Sequence, residues 1–299
     1  MRPPTFRHRL EYLGYRSALG ALRLLPESTA LRLGEGLGWV VGVVLGVRRR
    51  TVHTHLRQAF PQETEAWRRR LARRSFRHIG RESLATFLLG GMTKDDILQR
   101  TEVVGLEALR SAMAEEKGAI LVTGHFGNWE IAGAALTSRG VPLDAVAQRQ
   151  RNPLFDTEIN RTRERLGITV IKRSEAPKKV LRALRAGRGI AIVGDQNLRR
   201  GGVFVDFFGK KASTARGAAI FALRTDSPMF LAINRRLPGL PPRYRLTLEP
   251  VIFSPSGDMD EDVLRLTEAH TKHLEKAIVD SPEQYFWQHR RWKTRPPVE

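Results

Sequence analysis

The 299-residue chain contains no cysteine. This absence excludes a disulfide framework, a thiol nucleophile and any zinc or iron–sulfur site built on thiolates. The cysteine count therefore gives no argument for an oxidising compartment. Hydrophobic residues make up 41% of the chain, which is typical of a globular protein rather than a disordered one.

Acidic residues are the second shortage. The chain has 31 Asp and Glu against 51 Lys and Arg, a formal net charge of +20. Such an excess favours a polyanionic partner, and nucleic acid, an anionic membrane surface and phosphorylated substrates all qualify. A solvated basic surface is the alternative, so charge alone does not decide. The sequence shows no zinc-finger spacing, RNA-recognition aromatic motif or convincing helix-turn-helix, and we therefore predict no nucleic-acid partner.

Long hydrophobic runs are missing as well. The longest, residues 36–47, is shorter than the roughly 20 residues that a membrane-spanning helix needs. Three arginines, residues 48–50, follow it and resemble a cytoplasmic-side charge anchor. A shallowly inserted helix and a buried core helix fit this run equally well.

Two amphipathic helices are predicted before this arginine cluster. The first, over residues 6–25, carries three arginines spaced by seven residues, which places them on nearly one side. Long arginines beside an apolar face suit the headgroup zone of a membrane. The second is predicted over residues 28–47. We therefore predict a membrane-docking helical hairpin over residues 1–50, attached to an α/β domain over residues 51–299.

The remainder of the chain alternates between helices and short apolar runs. A helix is predicted over residues 63–89, ended by two glycines. Predicted strands are residues 119–123, 142–147, 168–171, 190–194, 228–234 and 244–253. Further helices are predicted over residues 129–138, 153–166, 176–186, 214–225 and 260–279. This pattern favours an α/β fold with a central mixed sheet covered by helices.

One motif, "GHFGNWE", follows the first of these strands directly. Active groups of α/β folds gather where strands end, and His125 lies just beyond a strand end. Asn128 suits a helix N-cap, which would place Glu130 in the first turn. From there the acid could turn back to the imidazole and fix its tautomer, leaving the other nitrogen to act as a base. A core histidine beside a capping acid is the alternative that the spacing leaves open.

A histidine, four residues and an acid after an apolar strand resemble the signature of the lysophospholipid and glycerolipid acyltransferase superfamily. Glutamate as the acid is typical of the lipid A secondary acyltransferases of Gram-negative bacteria. The segment "SPEQYFWQHRRWKTRPP", residues 281–297, resembles that family's closing segment. Residues 151–167, 193–197 and 202–217 resemble successive family blocks in the same order, so the resemblance covers essentially the whole chain.

The resemblance implies an acyltransferase-like fold and an enzyme that needs no cofactor and no metal. It implies transfer of a fatty acyl chain from a thioester, on acyl carrier protein or coenzyme A, to a hydroxyl of a lipid A precursor. The expected location is the cytoplasmic face of the inner membrane, on an anionic lipid surface. His125 would act as general base and Glu130 would orient it.

Three further residues match family positions and are expected to bind substrate. These are Arg149, Arg163 and Asp195. An arginine near the thioester could stabilise an oxyanion or hold a phosphate, and Asp195 would orient such an arginine or the acceptor. For each, an ordinary structural ion pair is the alternative.

Several aromatic residues are candidates for an acyl-chain channel, with the hydrophobic core as the alternative. They are Phe126, Trp129, Phe204, Phe207 and Phe208. The mixed aromatic and cationic residues near the C-terminus are expected at the lipid–water interface, although they would suit single-stranded nucleic acid equally.

Other functions stay open at this point. The acceptor could be another glycolipid or an amino-acid lipid, since inspection does not separate acceptors. A basic nucleic-acid-binding protein is the alternative from a different class. A metal-dependent hydrolase using His125, Glu130 and Asp195 is a third, although the clustered histidine ligands usual for zinc are lacking.

Overall fold

The computed structural model describes residues 3–114 and 117–297 of the chain. Its α-helices are α1 (Phe6–Arg23), α2 (Glu27–Trp39), α3 (Arg49–Ala59), α4 (Glu65–Leu89), α5 (Lys94–Arg100), α6 (Leu106–Met113), α7 (Trp129–Thr137), α8 (Pro153–Arg165), α9 (Ala176–Arg185), α10 (Gly217–Thr225) and α11 (Met259–Asp280). Its strands are β1 (Thr101–Val104), β2 (Ala119–Thr123), β3 (Leu143–Ala147), β4 (Ile168–Lys172), β5 (Gly189–Val193), β6 (Val203–Phe207), β7 (Lys210–Thr214), β8 (Met229–Arg236) and β9 (Tyr244–Pro250).

The central sheet has seven strands in the order β1-β9-β8-β2-β5-β3-β4. From β8 to β4 all neighbours are parallel, whereas β9 runs antiparallel to β8 and carries β1 parallel to itself. The predicted mixed sheet is therefore confirmed, and every predicted strand lies within it. The short strand β1 and the separate antiparallel hairpin β6–β7 were not predicted.

Helices cover both faces of the sheet, which explains why its central strands are continuous apolar runs rather than alternating ones. The first four residues of β2 are fully buried. One face packs against α3, α4, α9, α10 and α11, and the other against α5, α6 and α7. This layering leaves the C-terminal ends of β2, β5, β3 and β4 together at one edge.

Helix α2 packs against α4 through glycines that bring the two backbones together. A Cβ atom on Gly38 would lie 2.1 Å from the carbonyl oxygen of Phe76, and one on Gly80 would lie 2.2 Å from that of Gly34. Since this contact fixes one side of α2, its other side faces outward. Leu33 is exposed on that side, and Leu37 is 58% exposed. The predicted helix 28–47 is thus α2 with a π-helical turn, Val40–Val44, at its end.

No single helix in residues 3–114 and 117–297 is both long and apolar enough to cross a membrane. The segments Glu27–Val44 and Arg49–Ala59 pass that test together, by length and composition only, with a 90° bend between them. The domain boundary at residue 50 stays a prediction.

Candidate active site

The loop between β2 and α7 carries the motif that the sequence singled out. Gly127 has φ +56°, and a Cβ atom there would lie 1.8 Å from a carbonyl oxygen of β8, so glycine is required. The Asn128 side chain accepts a hydrogen bond from the backbone amide of Ile131 at 3.2 Å and caps α7. The predicted N-cap is confirmed, and Glu130 lies in the first helical turn.

His125 is paired with Asp195 rather than with Glu130. Strands β2 and β5 are neighbours with Thr123 opposite Val193, so the residues two positions beyond each strand meet. Nδ1 of His125 lies 2.6 Å from Oδ1 of Asp195, and the His125 backbone amide donates to Oδ2 at 3.0 Å. The imidazole is 19% exposed and the carboxylate is buried. The two-point contact fixes both the ring and the loop that carries it.

Asp195 is ionised in this setting. Burial alone would raise the pKa of its carboxyl group, but the charge and hydrogen bonds of His125 overcome burial and lower the pKa to about 2. An ionised carboxylate can only accept hydrogen bonds, so Nδ1 of His125 carries the proton. The lone pair of neutral His125 is then on Nε2, which is the atom a general base needs.

The free side of the imidazole is bordered by an amide and an aromatic ring. Nε2 of Gln196 lies 3.1 Å from Nε2 of His125, where the amide can donate to the imidazole lone pair. The ring of Trp129 meets the imidazole edge to face, with centroids 4.8 Å apart. Nε2 of His125 therefore has a hydrogen-bond partner, which a substrate hydroxyl would have to replace.

Glu130 is bound to Arg163 through both of its oxygens. Nε of Arg163 donates to Oε2 at 2.9 Å and Nη2 to Oε1 at 2.5 Å. Both side chains are largely buried, and Asn160 accepts a third bond from the same guanidinium. Burial would lower the pKa of Arg163, but the Glu130 hydrogen bonds raise it overall. Among the described residues no hydrogen bond joins Glu130 to His125, so their catalytic pairing stays a prediction.

The other predicted site residues have mixed outcomes. The structure brings Arg163 to Glu130 and Asp195 to His125. The substrate-binding roles expected of Arg163 and Asp195 stay predictions. Arg149 follows β3 at the same sheet edge, is exposed, and has no ion-pair partner in the part of the chain that the structure describes.

The C-terminal segment lies inside the protein, so the expectation of a lipid–water interface there is wrong for its central residues. Trp287 is fully buried and Arg291 is 2% exposed. Arg291 donates to the Ser213 carbonyl at 2.7 Å, and His289 Nε2 accepts from the Asn197 backbone amide at 2.9 Å. Because Asn197 follows Asp195 by two residues, this segment supports the loop that carries the carboxylate.

Two of the proposed channel aromatics are core residues. Phe126 and Phe207 are buried in the main hydrophobic cluster, which corrects the expectation that they line an open channel. Trp129, Phe204 and Phe208 are half-buried.

Sequence reasoning missed Gln196 and Tyr285. Burial, followed by the charge of the adjacent Asp195, holds the pKa of the Tyr285 hydroxyl well above its usual value. The only available signal for Gln196 was its position directly after Asp195. Tyr285 lies in the C-terminal segment that the family resemblance marked, and its backbone forms a bridge with that of Phe126 beside the site. Within residues 3–114 and 117–297, no three histidine or acidic side chains form a group that could hold a metal ion.

The fold and the site define an α/β protein in which an ionised carboxylate holds a histidine at the C-terminal edge of a mixed sheet. The family profile described as bacterial lipid A biosynthesis acyltransferase matches residues 4–294. The chain belongs to that family, and it is an O-acyltransferase.

Individual relatives agree with this assignment. The chain is 31% identical over 295 residues to the lipid A biosynthesis lauroyltransferase of Escherichia coli (strain K12), covering 97% of this chain and 93% of that protein. It is 27% identical over 286 residues to the lipid A biosynthesis palmitoleoyltransferase of the same strain, covering 94% and 91%. A phosphatidylinositol mannoside acyltransferase of Mycolicibacterium smegmatis is 30% identical over 164 residues, covering 54% of each chain.

Proposed function

We propose that the protein transfers a fatty acyl group from acyl carrier protein to a hydroxyl of a lipid A precursor, with His125 as the general base. The observation that carries the proposal is the 2.6 Å contact between Nδ1 of His125 and ionised Asp195. This contact leaves Nε2 as the basic nitrogen of the ring. The full-length lipid A relatives support lipid A as the acceptor class.

The chemical step needs one base and no covalent enzyme intermediate. The acceptor hydroxyl displaces the Gln196 amide from Nε2 of His125 and gives its proton to that nitrogen as its oxygen attacks the thioester carbonyl. The carbonyl oxygen takes the negative charge of the tetrahedral intermediate. Collapse breaks the carbon–sulfur bond, and the departing thiolate takes the proton back from His125. We assign the displaced Gln196 amide as a hydrogen-bond donor to the developing oxyanion.

Two carboxylates serve this base in different ways. Asp195 holds Nδ1 and stabilises the imidazolium that forms during proton transfer. Glu130, in the first turn of α7, holds Arg163 through two hydrogen bonds. A change in the Glu130 side chain during substrate binding would be needed for a direct contact with His125. We retain Glu130 as a catalytic candidate and assign Arg163 to substrate binding.

A ring of exposed basic residues supports an acidic donor. Two such residues lie at or beyond the C-terminal end of each of β5, β3 and β4. The ends of these three strands are roughly 5 to 15 Å from the end of β2, given about 4.8 Å between strands. This cationic rim consists of Arg199 and Arg200, Arg149 and Arg151, and Lys172 and Arg173. It would attract an acidic carrier protein and the phosphate of its prosthetic group to the site. Coenzyme A, which also carries phosphates, is the alternative donor.

The exposed apolar side of α2 supports work at a membrane surface. A lipid acceptor is presented there, and we place the enzyme on the cytoplasmic face of the inner membrane, where acyl carrier protein is available. The mycobacterial relative favours a second acceptor class, phosphatidylinositol mannosides, although it aligns with 54% of this chain.

The test uses purified full-length protein, lauroyl- or palmitoleoyl-acyl carrier protein and a lipid A precursor, with the product read by mass spectrometry. Wild-type protein should add one acyl chain. His125→Ala should lower kcat by about 10²–10⁴-fold, while His53→Ala on α3 serves as a matched histidine control with full activity. Wild-type-level transfer by folded His125→Ala protein would refute the base assignment. Transfer only to a phosphatidylinositol mannoside would refute the acceptor.

A further inference from the structure

A second concave site lies between α2, α4 and the loop that joins β8 to β9. The cavity has a volume of about 410 Å³, within the usual size of a small-molecule site. Its charged wall is formed by Arg32 and Glu35 of α2, Arg81 of α4 and Arg236 of β8, and Leu31 and Leu240 supply the apolar part. None of these residues contacts His125, so this site is distinct from the active site.

The cavity has more positive than negative charge. Arg81 forms an ion pair with Glu35 at 2.6 Å, and both Arg81 and Arg236 lie 3.3 Å from the same oxygen of buried Glu82. Two carboxylates thus face three guanidinium groups. Arg32 has no ion pair with any residue in the described ranges. A phosphate entering the cavity would supply the missing negative charge.

Glu82 cannot fully neutralise the two arginines above it. Its Oε2 already accepts hydrogen bonds from the Tyr244 hydroxyl at 2.8 Å and from the Asn128 amide at 3.2 Å. Arg236 has a side chain only 6% exposed, and its Nε makes no hydrogen bond to any described residue. Burial, and then the positive charge of Arg81, lowers the pKa of Arg236. Its two terminal nitrogens donate to the carbonyls of Leu237 and Gly239 at 3.1 and 3.0 Å, which are neutral acceptors. Among the described residues, the positive charge of Arg236 is therefore paired only with Glu82, which it shares with Arg81, and an anion in the cavity would stabilise it.

The neighbouring surface indicates which anion the cavity accepts. Leu33 directly follows Arg32 and begins the exposed apolar side of α2 that continues through Leu37 and Val44. Leu240, at 40% exposure, adds an apolar residue to the cavity wall itself. A free anion would use only the arginines, whereas a phospholipid would use the arginines for its phosphate and the leucines for its acyl chains.

We propose that this cavity binds the phosphate-bearing headgroup of an anionic membrane lipid, at a place separate from the His125 site. The bound lipid would anchor α2 at the depth where its apolar side meets the acyl chains. The ligand chemistry is a lipid phosphate, which either a bulk phospholipid or a second phosphate of the lipid acceptor could provide. The proposal concerns binding alone and does not depend on the proposed catalytic mechanism.

Arg32 is the residue to vary, because Arg81 and Arg236 also hold Glu82 and through it the cap of α7. The full-length protein in non-ionic detergent is titrated calorimetrically with three monomeric probes: dihexanoyl phosphatidic acid, dihexanoyl phosphatidylcholine and inorganic phosphate. Phosphatidic acid should bind most tightly. Arg32→Gln should lower the affinity for phosphatidic acid about two- to fivefold, the range for one partly exposed charge pair. Arg224→Gln, an exposed arginine of α10, is the matched control and should change nothing.

A second variant separates a lipid from a free anion. Leu240→Ser should lower the affinity for phosphatidic acid and leave the affinity for inorganic phosphate unchanged. A competition experiment distinguishes a bulk phospholipid from the lipid acceptor as the source of the phosphate. The lipid A precursor is added to His125→Ala protein that holds phosphatidic acid. Displacement of the phosphatidic acid would assign the cavity to a phosphate of the acceptor. Equal effects of Arg32→Gln and Arg224→Gln would overturn the site. Equal affinity for phosphate and phosphatidic acid, or for phosphatidylcholine and phosphatidic acid, would overturn the lipid-phosphate assignment.

Discussion

Both carboxylate oxygens of Asp195 are engaged by one residue, His125. One oxygen lies 2.6 Å from the imidazole Nδ1 and the other accepts the His125 backbone amide at 3.0 Å. The carboxylate therefore determines the tautomer and holds the start of the β2–α7 loop at the same time. Removing its charge and keeping its shape separates these two effects.

Asp195→Asn should lower kcat by about 10²–10⁴-fold with a smaller change in KM. The new amide can donate to Nδ1, which favours the tautomer with its proton on Nε2, and that tautomer is not a base. Asp206→Asn, at an exposed position of β6, is the control. The measurement is steady-state kinetics with acyl carrier protein thioester, together with circular dichroism to show that the variant is folded. Unchanged kcat in folded Asp195→Asn protein would contradict the assignment of Asp195 as the residue that holds the base.

Glu130 has two candidate roles that a pair of double-mutant cycles can separate. If Glu130 assists His125 during transfer, His125→Ala combined with Glu130→Ala should lose little more activity than His125→Ala alone. If Glu130 chiefly fixes Arg163, then Arg163→Ala combined with Glu130→Ala should lose little more than Arg163→Ala alone. We expect the Glu130–Arg163 cycle to show the larger coupling in KM, because both hydrogen bonds between them are present before substrate binds.

The Glu130→Asp variant adds an independent check. The shorter side chain cannot keep both bonds to Arg163 but preserves the charge. Partial activity with a raised KM is expected. Additive losses in both cycles would show that Glu130 acts with neither partner.

The sequence predicted the elements around the site better than the contacts within it. The apolar run before His125 and the capping preference of Asn128 are local signals, and both gave correct elements. The contact between His125 and Asp195 depends on β2 and β5 being neighbours, although two other strands lie between them along the chain. Local patterns carry no information on that strand order.

For the C-terminal segment, the composition predicted the wrong environment. Its alternating aromatic and cationic residues are typical of a membrane interface, yet Arg291 is buried and donates to the Ser213 carbonyl and the Thr214 hydroxyl. Composition describes which partners a residue can accept, whereas the fold decides which partner is present. The same holds for Phe207, whose size suits a channel and whose position is the core.

Stability should fall between pH 6.5 and pH 4 because of buried neutral histidines. Burial, and then nearby Arg291, lowers the pKa of His270 to about 4, against about 6.5 in the unfolded chain. Below pH 6.5 the imidazole binds a proton in the unfolded state but not in the folded state. The contribution of His270 to the free energy of unfolding is therefore fully present above pH 6.5 and is lost as pH falls towards 4. The gap corresponds to about 3 kcal/mol.

His270→Leu should therefore flatten the pH dependence of the free energy of unfolding by about that amount. Denaturant titrations at pH 7 and pH 4.5 give the slope, which is independent of any constant packing effect of the substitution. His8→Gln, on α1 outside the core, should keep the wild-type slope. A wild-type slope in the His270→Leu protein would show that this histidine is not kept neutral by burial.

The cationic rim should make donor encounter sensitive to salt. Raising ionic strength from about 0.1 M to about 1 M shortens the screening length from about 10 Å to about 3 Å. With acyl carrier protein as donor, kcat/KM should fall steeply while kcat changes less. A neutral acyl thioester of N-acetylcysteamine should show little dependence on salt. Arg199→Gln combined with Arg200→Gln should reduce the salt dependence, and Arg224→Gln should not. Equal salt dependence for both donors would contradict docking through the rim.

Membrane binding should depend on the outward side of α2 rather than on its contact with α4. Deleting residues 1–47 would remove the contact of Gly34 and Gly38 with the α4 backbone and disturb the fold. Surface substitutions are therefore the cleaner test.

The combined substitutions Leu37→Ser, Val41→Ser and Val44→Ser remove exposed apolar side chains. Each buried aliphatic side chain is worth about 1.5–3 kcal/mol when transferred completely, so partial loss at three positions should weaken vesicle binding by roughly tenfold or more. Ile252→Ser removes an even more exposed apolar side chain outside α2 and should leave binding unchanged. Flotation with liposomes measures both variants, and unaltered flotation of the triple variant would place the membrane contact elsewhere.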